Sequence, residues 1–268
     1  MSRAPAAFER GGDSAEYIAM EGAASPWSPD SCHGGAPAAL LVQVAEILPA
    51  PVPMSVARVT VDLLRAVPLG RLRVESHVIR EGRKIQLLEL GLGADGVRVA
   101  KATMLRVRNR PEAVPNPLCA PDFTIPGPGQ GRPTRAPQTG GFSAMFAMSA
   151  VKGGFESQGP ASVWFRMNGP LVAGMATSAA ARAVAAADFA NGIAGVLPFE
   201  HWLYPTVDLN VSLLRQPTGE WLLIDGETWI GAEGRSLCRI GLGDARGWFG
   251  SGTQTALLET RLREGETA

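Results

Sequence analysis

Apolar and polar positions along the chain follow two periods, and both periods occur twice. The stretch HGGAPAALLVQVAEIL (His33 to Leu48) is apolar nearly all round, the pattern of a helix buried on every face. Gly34 and Gly35 mark its entry, and Pro49 follows its end. Four segments alternating with period two come next. RVTVDLLR sets Val59, Val61 and Leu63 on one face and Arg58, Thr60 and Asp62 on the other. RLRVESHVIR alternates likewise, with Leu72, Val74 and Val78 inward, and KIQLLEL and VRVAKATMLRVR complete the set. Alternation across short turns predicts an antiparallel meander with one wet face.

The same order returns further on. SVWFRM predicts a strand, GMATSAAARAVAAADF a buried helix of small residues, and TVDLNVSLLR, EWLLIDGETWI, RSLCRIGL and GWFGSGTQTALLETR four more strands. The two halves share a register. LLR at Leu63 to Arg65 recurs at Leu213 to Arg215, and GLG at Gly91 to Gly93 recurs at Gly241 to Gly243. Equal spacing of both matches indicates a duplicated supersecondary unit. Between the copies, the proline density from Arg108 to Gly141 forbids a helix and breaks any central strand, so a surface connector is expected. The expected organisation is an N-terminal repeat over 1–108, a connector over 109–158 and a C-terminal repeat over 159–268. One curled sheet around one helix leaves an exposed edge. Two copies side by side join those edges and enclose a larger core. The expected fold is therefore α+β: a double hotdog, two buried helices packed on one continuous curved antiparallel sheet.

Composition narrows the function by exclusion. The chain has 268 residues with 25 Lys+Arg against 25 Asp+Glu, which argues against a nucleic-acid footprint. Three widely spaced cysteines, Cys32, Cys119 and Cys238, fit neither a disulfide framework nor a zinc module, and a reducing compartment is expected. No apolar run reaches membrane-span length, and the opening MSRAPAAFERGGDSAEY lacks the apolar core of a signal peptide. A cytoplasmic protein is expected. GLGADG (Gly91 to Gly96) matches the dinucleotide fingerprint by letter. The strand VRVAKATM follows it where a helix is needed, so a hairpin turn is expected there. HGGA (His33 to Ala36) is like a hydrolase oxyanion loop, but no G-x-S-x-G elbow accompanies it. Of the histidines, His77 falls on a polar strand face and His201 in a loop. Cys32 beside His33 is a weak nucleophile pair, because adjacent residues rarely bring both side chains within reach.

One residue is out of place. Asp188 ends the alanine-rich helix, where the backbone already carries partial negative charge. An Asx turn or an arginine partner would account for it locally. Two further residues change that balance. Gln254 stands between two threonines on the last long strand, and Thr206 opens the strand that follows Pro205. A carboxylate, an amide and a hydroxyl can hold and activate one water, the carboxylate taking the proton. No histidine, metal or cofactor is called for.

On these segments the chain resembles the acyl-CoA thioesterase II family, the TesB-like double-hotdog thioesterases. The carrying stretches are HGGAPAALL, VTVDLLRAVPLGRLRVESHVIREGRKIQ, AAADFANG, TVDLNVSLLRQPTGEWLLID and GTQTALLETR. The resemblance implies hydrolysis of acyl-CoA by water held on Asp188, Thr206 and Gln254. The chain departs from the family pattern at Leu209, Leu213 and Leu214, which bears on acyl preference more than on chemistry. The first repeat is expected to be empty. Val56 stands where Thr206 does, Thr103 or Met104 where Gln254 does, and its helix ends in EILPAP without an aspartate. That helix could still supply N–H groups near Gly34 and Gly35 to an oxyanion; the alternative is that these glycines only allow close packing. The expected partner is an acyl-CoA or acyl carrier protein thioester, with no nucleic acid and no membrane span, and a homodimer or higher homo-oligomer is compatible with the sequence. The rival class is a hotdog protein that binds an acyl or polyketide chain without hydrolysing it. A hotdog dehydratase is disfavoured because no GDxNPxH-like string occurs.

Overall fold

The computed structural model describes residues 6–110, 121–137 and 140–261. The first half runs β1 (Phe8–Arg10), β2 (Glu16–Ala19), α1 (Gly35–Ile47), β3 (Met54–Leu63), β4 (Gly70–Arg80), β5 (Ile85–Ala94) and β6 (Val97–Arg108). The second half begins with β7 (Arg132–Pro133), β8 (Phe146–Lys152), β9 (Ala161–Met167), α2 (Ala179–Ala187) and α3 (Ala190–Ile193). It ends with β10 (Trp202–Leu203), β11 (Thr206–Leu213), β12 (Trp221–Gly231), β13 (Arg235–Asp244), β14 (Gly247–Leu257) and β15 (Glu259–Thr260).

Among the described residues, thirteen strands form one sheet in the order β1-β2-β4-β5-β6-β3-β11-β14-β13-β12-β9-β8-β7, and β10 pairs separately with β15. The halves join between β3 and β11, which run antiparallel with Val61 opposite Leu209 and Val59 opposite Val211. All four of these side chains are buried, so the joint lies within the core rather than at a hinge. The fold is the double hotdog. Its two main helices pack on each other antiparallel. Gln43 Oε1 on α1 accepts from the Ser178 N–H ahead of α2 at 2.9 Å, while Gly35 at the start of α1 lies against Ala185 near the end of α2. Alanine dominates α2 because the helix is enclosed; seven of its nine residues are buried, and larger side chains would push the helices apart. Ser178 caps its first turn, accepting from the Ala181 N–H at 3.0 Å.

GLGADG is the β5–β6 hairpin. Asp95 and Gly96 both have positive φ, 48° and 77°, as a two-residue primed turn requires. Three features depart from expectation. Val78 is 42% exposed, and all of the last six residues of β4 are exposed, so that end of the strand packs against nothing that buries it. Strands β1 and β2 extend the first half where no strand was expected. The stretch 109–158 is less of a connector than its prolines suggest, because β7 and β8 lie inside it. Its described part is also anchored. Val163 and Phe165 of β9 join the core, so Trp164 between them faces away from the helices. Its Nε1–H donates to Pro126 O at 2.8 Å, and Phe123 stands edge-on to Trp164 and Trp248. The described part of the proline-rich segment thus packs on the outer-face side chains Trp164 of β9 and Trp248 of β14. The remaining connector residues, 111–120 and 138–139, lie outside the described residues.

Candidate active site

Asp188 is the C-cap of α2, in helical geometry (φ −67°, ψ −13°), and Phe189 leads on into α3. It is 6% exposed. A buried carboxylate at a helix C-terminus needs donors. Asp188 Oδ1 accepts from Gln254 Nε2–H at 2.7 Å, and Oδ2 lies 3.0 Å from His33 Nδ1.

Gln254 lies on β14 opposite Leu209 and faces the core, 1% exposed. Its amide orientation follows from its partners: Oε1 accepts from the Asn191 N–H at 3.1 Å, which turns Nε2 toward Asp188 and Thr206. Nε2 donates to Thr206 Oγ1 at 2.6 Å as well as to Asp188. Thr206 would miss this site in a regular strand. Leu209, Val211 and Leu213 face inward, so strict alternation turns residue 206 outward. The register between β11 and β14 shifts between Thr206 and Asp208, leaving Val207 as an extra residue, and Thr206 pairs with inward-facing Ala256. The bulge returns its hydroxyl to the core side. Since Thr206 Oγ1 accepts from Gln254, its own O–H is left to donate elsewhere.

His33 comes from the turn before α1 and is 8% exposed, its ring 4.4 Å from that of Phe189 and 5.4 Å from that of Phe142. Gly34 and Gly35 let α1 approach α2 this closely. A Cβ at Gly34 would sit 2.9 Å from Asp188 Oδ2, and one at Gly35 would sit 2.8 Å from Ala185 O. Close packing is therefore one real reason for both glycines. The Gly34 N–H also meets no acceptor among the described residues.

Asp188, Thr206, His33 and Gly34 line a cavity of about 470 Å³, whose other walls include Trp27, Phe189, Phe199 and Tyr204. Gln254 stands behind this wall, touching the cavity only through the two side chains it holds. The three residues expected from sequence thus come together in one bonded group. His33, set aside in the sequence, joins them. Cys32 also borders the cavity, but burial pushes its thiol up to about 12, so it is no nucleophile at neutral pH. His77 and His201 are exposed and distant in role. Among the described residues no three His, Cys, Asp or Glu side chains gather as a metal ion would need. None of the helices in them is long and apolar enough to cross a membrane.

Comparison with known proteins decides the family. A family model described as the acyl-CoA thioesterase N-terminal domain matches residues 23–107, and its C-terminal counterpart matches residues 119–258. The chain belongs to the acyl-CoA thioesterase family. This thioesterase also shares its fold with solved structures. The acyl-CoA thioesterase II TesB2 of Mycobacterium marinum is 16% identical with a TM-score of 0.64, over 97% of each chain. The tesB protein of Mycobacterium avium subs paratuberculosis is 15% identical with a TM-score of 0.66, over 94% of this chain and 95% of that one. A hot dog fold protein from Alicyclobacillus acidocaldarius is 17% identical with a TM-score of 0.73, over 94% and 96%. A comparison with curated protein sequences returns no match. Both halves of the family pattern lie on the chain, and the enzyme is a thioester hydrolase.

Proposed function

We propose that this thioesterase hydrolyses acyl-CoA at the cavity wall formed by Asp188 and Thr206, with Gln254 behind them. The observation that carries the reading is the bonded group itself: one amide fixes a buried carboxylate and a hydroxyl side by side on an apolar cavity. A water there would accept the Thr206 O–H and donate to Asp188. Asp188 takes the water's proton as the oxygen bonds to the thioester carbonyl carbon. Negative charge then develops on the carbonyl oxygen, for which the Gly34 N–H at the head of α1, without an acceptor among the described residues, is a donor. The C–S bond breaks, and the leaving thiolate takes the proton from Asp188. Trp27, Phe199 and Tyr204 give the cavity an apolar wall that suits an acyl group.

The test is thiol release from acyl-CoA across chain lengths by wild-type and Asp188→Asn enzyme. Asparagine keeps the shape and removes the base, so kcat should fall by roughly 10²–10⁴ with binding retained. A wild-type rate in Asp188→Asn defeats the assignment. Acyl carrier protein thioesters, assayed in parallel, distinguish the two carriers.

A further inference from the structure

We infer that His33 is a positioning residue for the reaction, donating its Nδ1–H to Asp188 Oδ2 and holding the carboxylate against water. The inference rests on Asp188 being the base. Nδ1 has two neighbours: Asp188 Oδ2 at 3.0 Å and the Gly35 N–H at 3.2 Å. It cannot serve both, since a nitrogen that accepts from Gly35 has no proton to give. With Asp188 ionised, two lone pairs would face each other at 3.0 Å across a buried gap, which the low local dielectric makes costly. A proton on Nδ1 turns that repulsion into a charge-assisted hydrogen bond, the stronger of the two choices.

The carboxylate is then held at both ends. Gln254 Nε2–H binds Oδ1, and His33 Nδ1–H binds Oδ2. This fixes its plane, so the lone pair that remains free can point at one place in the cavity. The ring is locked in turn by Phe189 and Phe142. Because both elements are helix termini, one preceding α1 and the other ending α2, the bond also ties the two repeats together where the chemistry takes place. Reactions that depend on a positioned base lose rate steeply when the base can swing. His33 keeps its Nδ1 proton throughout: the proton taken from water stays on Asp188 until the thiolate removes it.

Two variants and one direct measurement test this. His33→Leu keeps bulk and removes the donor. Its kcat should fall by roughly 10–100-fold, the worth of a hydrogen bond to a charged group, with KM within about two-fold. His33→Asn places an N–H near the position of Nδ1 and should recover kcat to within several-fold of wild type. Wild-type kcat in His33→Leu, or an Asn variant as slow as Leu, overturns the inference. Nitrogen-15 NMR of the wild-type imidazoles stands even if both variants unfold. His33 must carry a proton on Nδ1 at neutral pH, and a ring protonated at Nε2 alone overturns the inference. Full activity in Asp188→Asn would instead remove the base assignment, whatever the NMR of His33 shows.

Discussion

The two repeats treat the C-terminus of their buried helix in opposite ways. At the end of α2 a carboxylate, Asp188, faces the cavity, bonded by Gln254 Nε2–H and beside His33 Nδ1. At the end of α1 a cation takes the place. Arg106, 3% exposed on β6, donates to the carbonyls of Ala45, Leu48 and Pro49 and to Gln86 Oε1. That is the ordinary solution to a helix end: a positive group meets orphan carbonyls and the negative end of the dipole. Val56 and Met104, both buried, hold the places of Thr206 and Gln254. Even the bulge is shared, since the register between β3 and β6 shifts between Val56 and Arg58. The same backbone thus carries a helix end closed by a cation in one copy and one that opens on a cavity in the other. A further position sets them apart: Arg106 corresponds to Ala256, whose small side chain leaves Thr206 and Asp188 their space.

The largest expected effect is on the closed end. Arg106→Met should destabilise the protein by about 3 kcal/mol, because buried carbonyls lose their donor. Urea midpoints would show the loss, while kcat of the folded fraction should stay at the wild-type value. A fall in kcat without a fall in stability would mean that the closed end is part of the chemistry and the comparison is wrong.

Next comes the open end made more like the closed one. Gln254→Met installs the residue of the first repeat and removes the donor to both Asp188 Oδ1 and Thr206 Oγ1. The expected result is a kcat lower by about 10–100-fold with KM little changed, since Gln254 acts through its neighbours rather than on substrate. An unchanged kcat would leave Gln254 a packing residue. A large rise in KM instead would place it against the substrate.

Much of this was legible in the chain, for reasons that also explain the rest. Period-two alternation over β3 to β6 and β11 to β14 identifies a half-buried sheet, because each face meets a different solvent. The recurring LLR and GLG fix the duplication. Asp188 stood out because a helix end disfavours it, and Gln254 because it stands between two threonines on the last long strand. His33 did not stand out. Its partner lies on another repeat, and only the crossing of α1 and α2 brings them within 3.0 Å. Thr206 stood out only as the hydroxyl that opens a strand after Pro205, and simple alternation would have sent it outward; a bulge leaves no mark in hydrophobic periodicity. The connector misled for a related reason. Prolines rule out helix, but FAMSAVK still pairs as β8, and Trp164 was read as strand without showing that a proline-rich segment covers it.

The smallest effect tests a second asymmetry. Arg215, which closes the LLR of the second repeat, grips Asp244 with two bonds of 2.6 and 2.7 Å. Ala94 stands in the matching position of the first repeat, and Arg65 there lines the cavity instead. Burial tends to raise the Asp244 carboxyl, but bonds from Arg215 and from the Thr218 and Arg246 N–H groups outweigh it and hold the group below the usual 3.8. An acid held low in the fold binds its proton first in the unfolded chain. Its stabilisation is therefore complete above about pH 4 and declines as pH falls through the folded value. Asp244→Asn cannot ionise, so it should be about 1 kcal/mol less stable than wild type at neutral pH. That difference should shrink as both proteins are taken below pH 4. Denaturant midpoints at pH 7, 4 and 3 would measure it. A gap that stays constant over this range would show that the clasp acts through shape alone, and the two arginines would then differ in surroundings but not in electrostatic work.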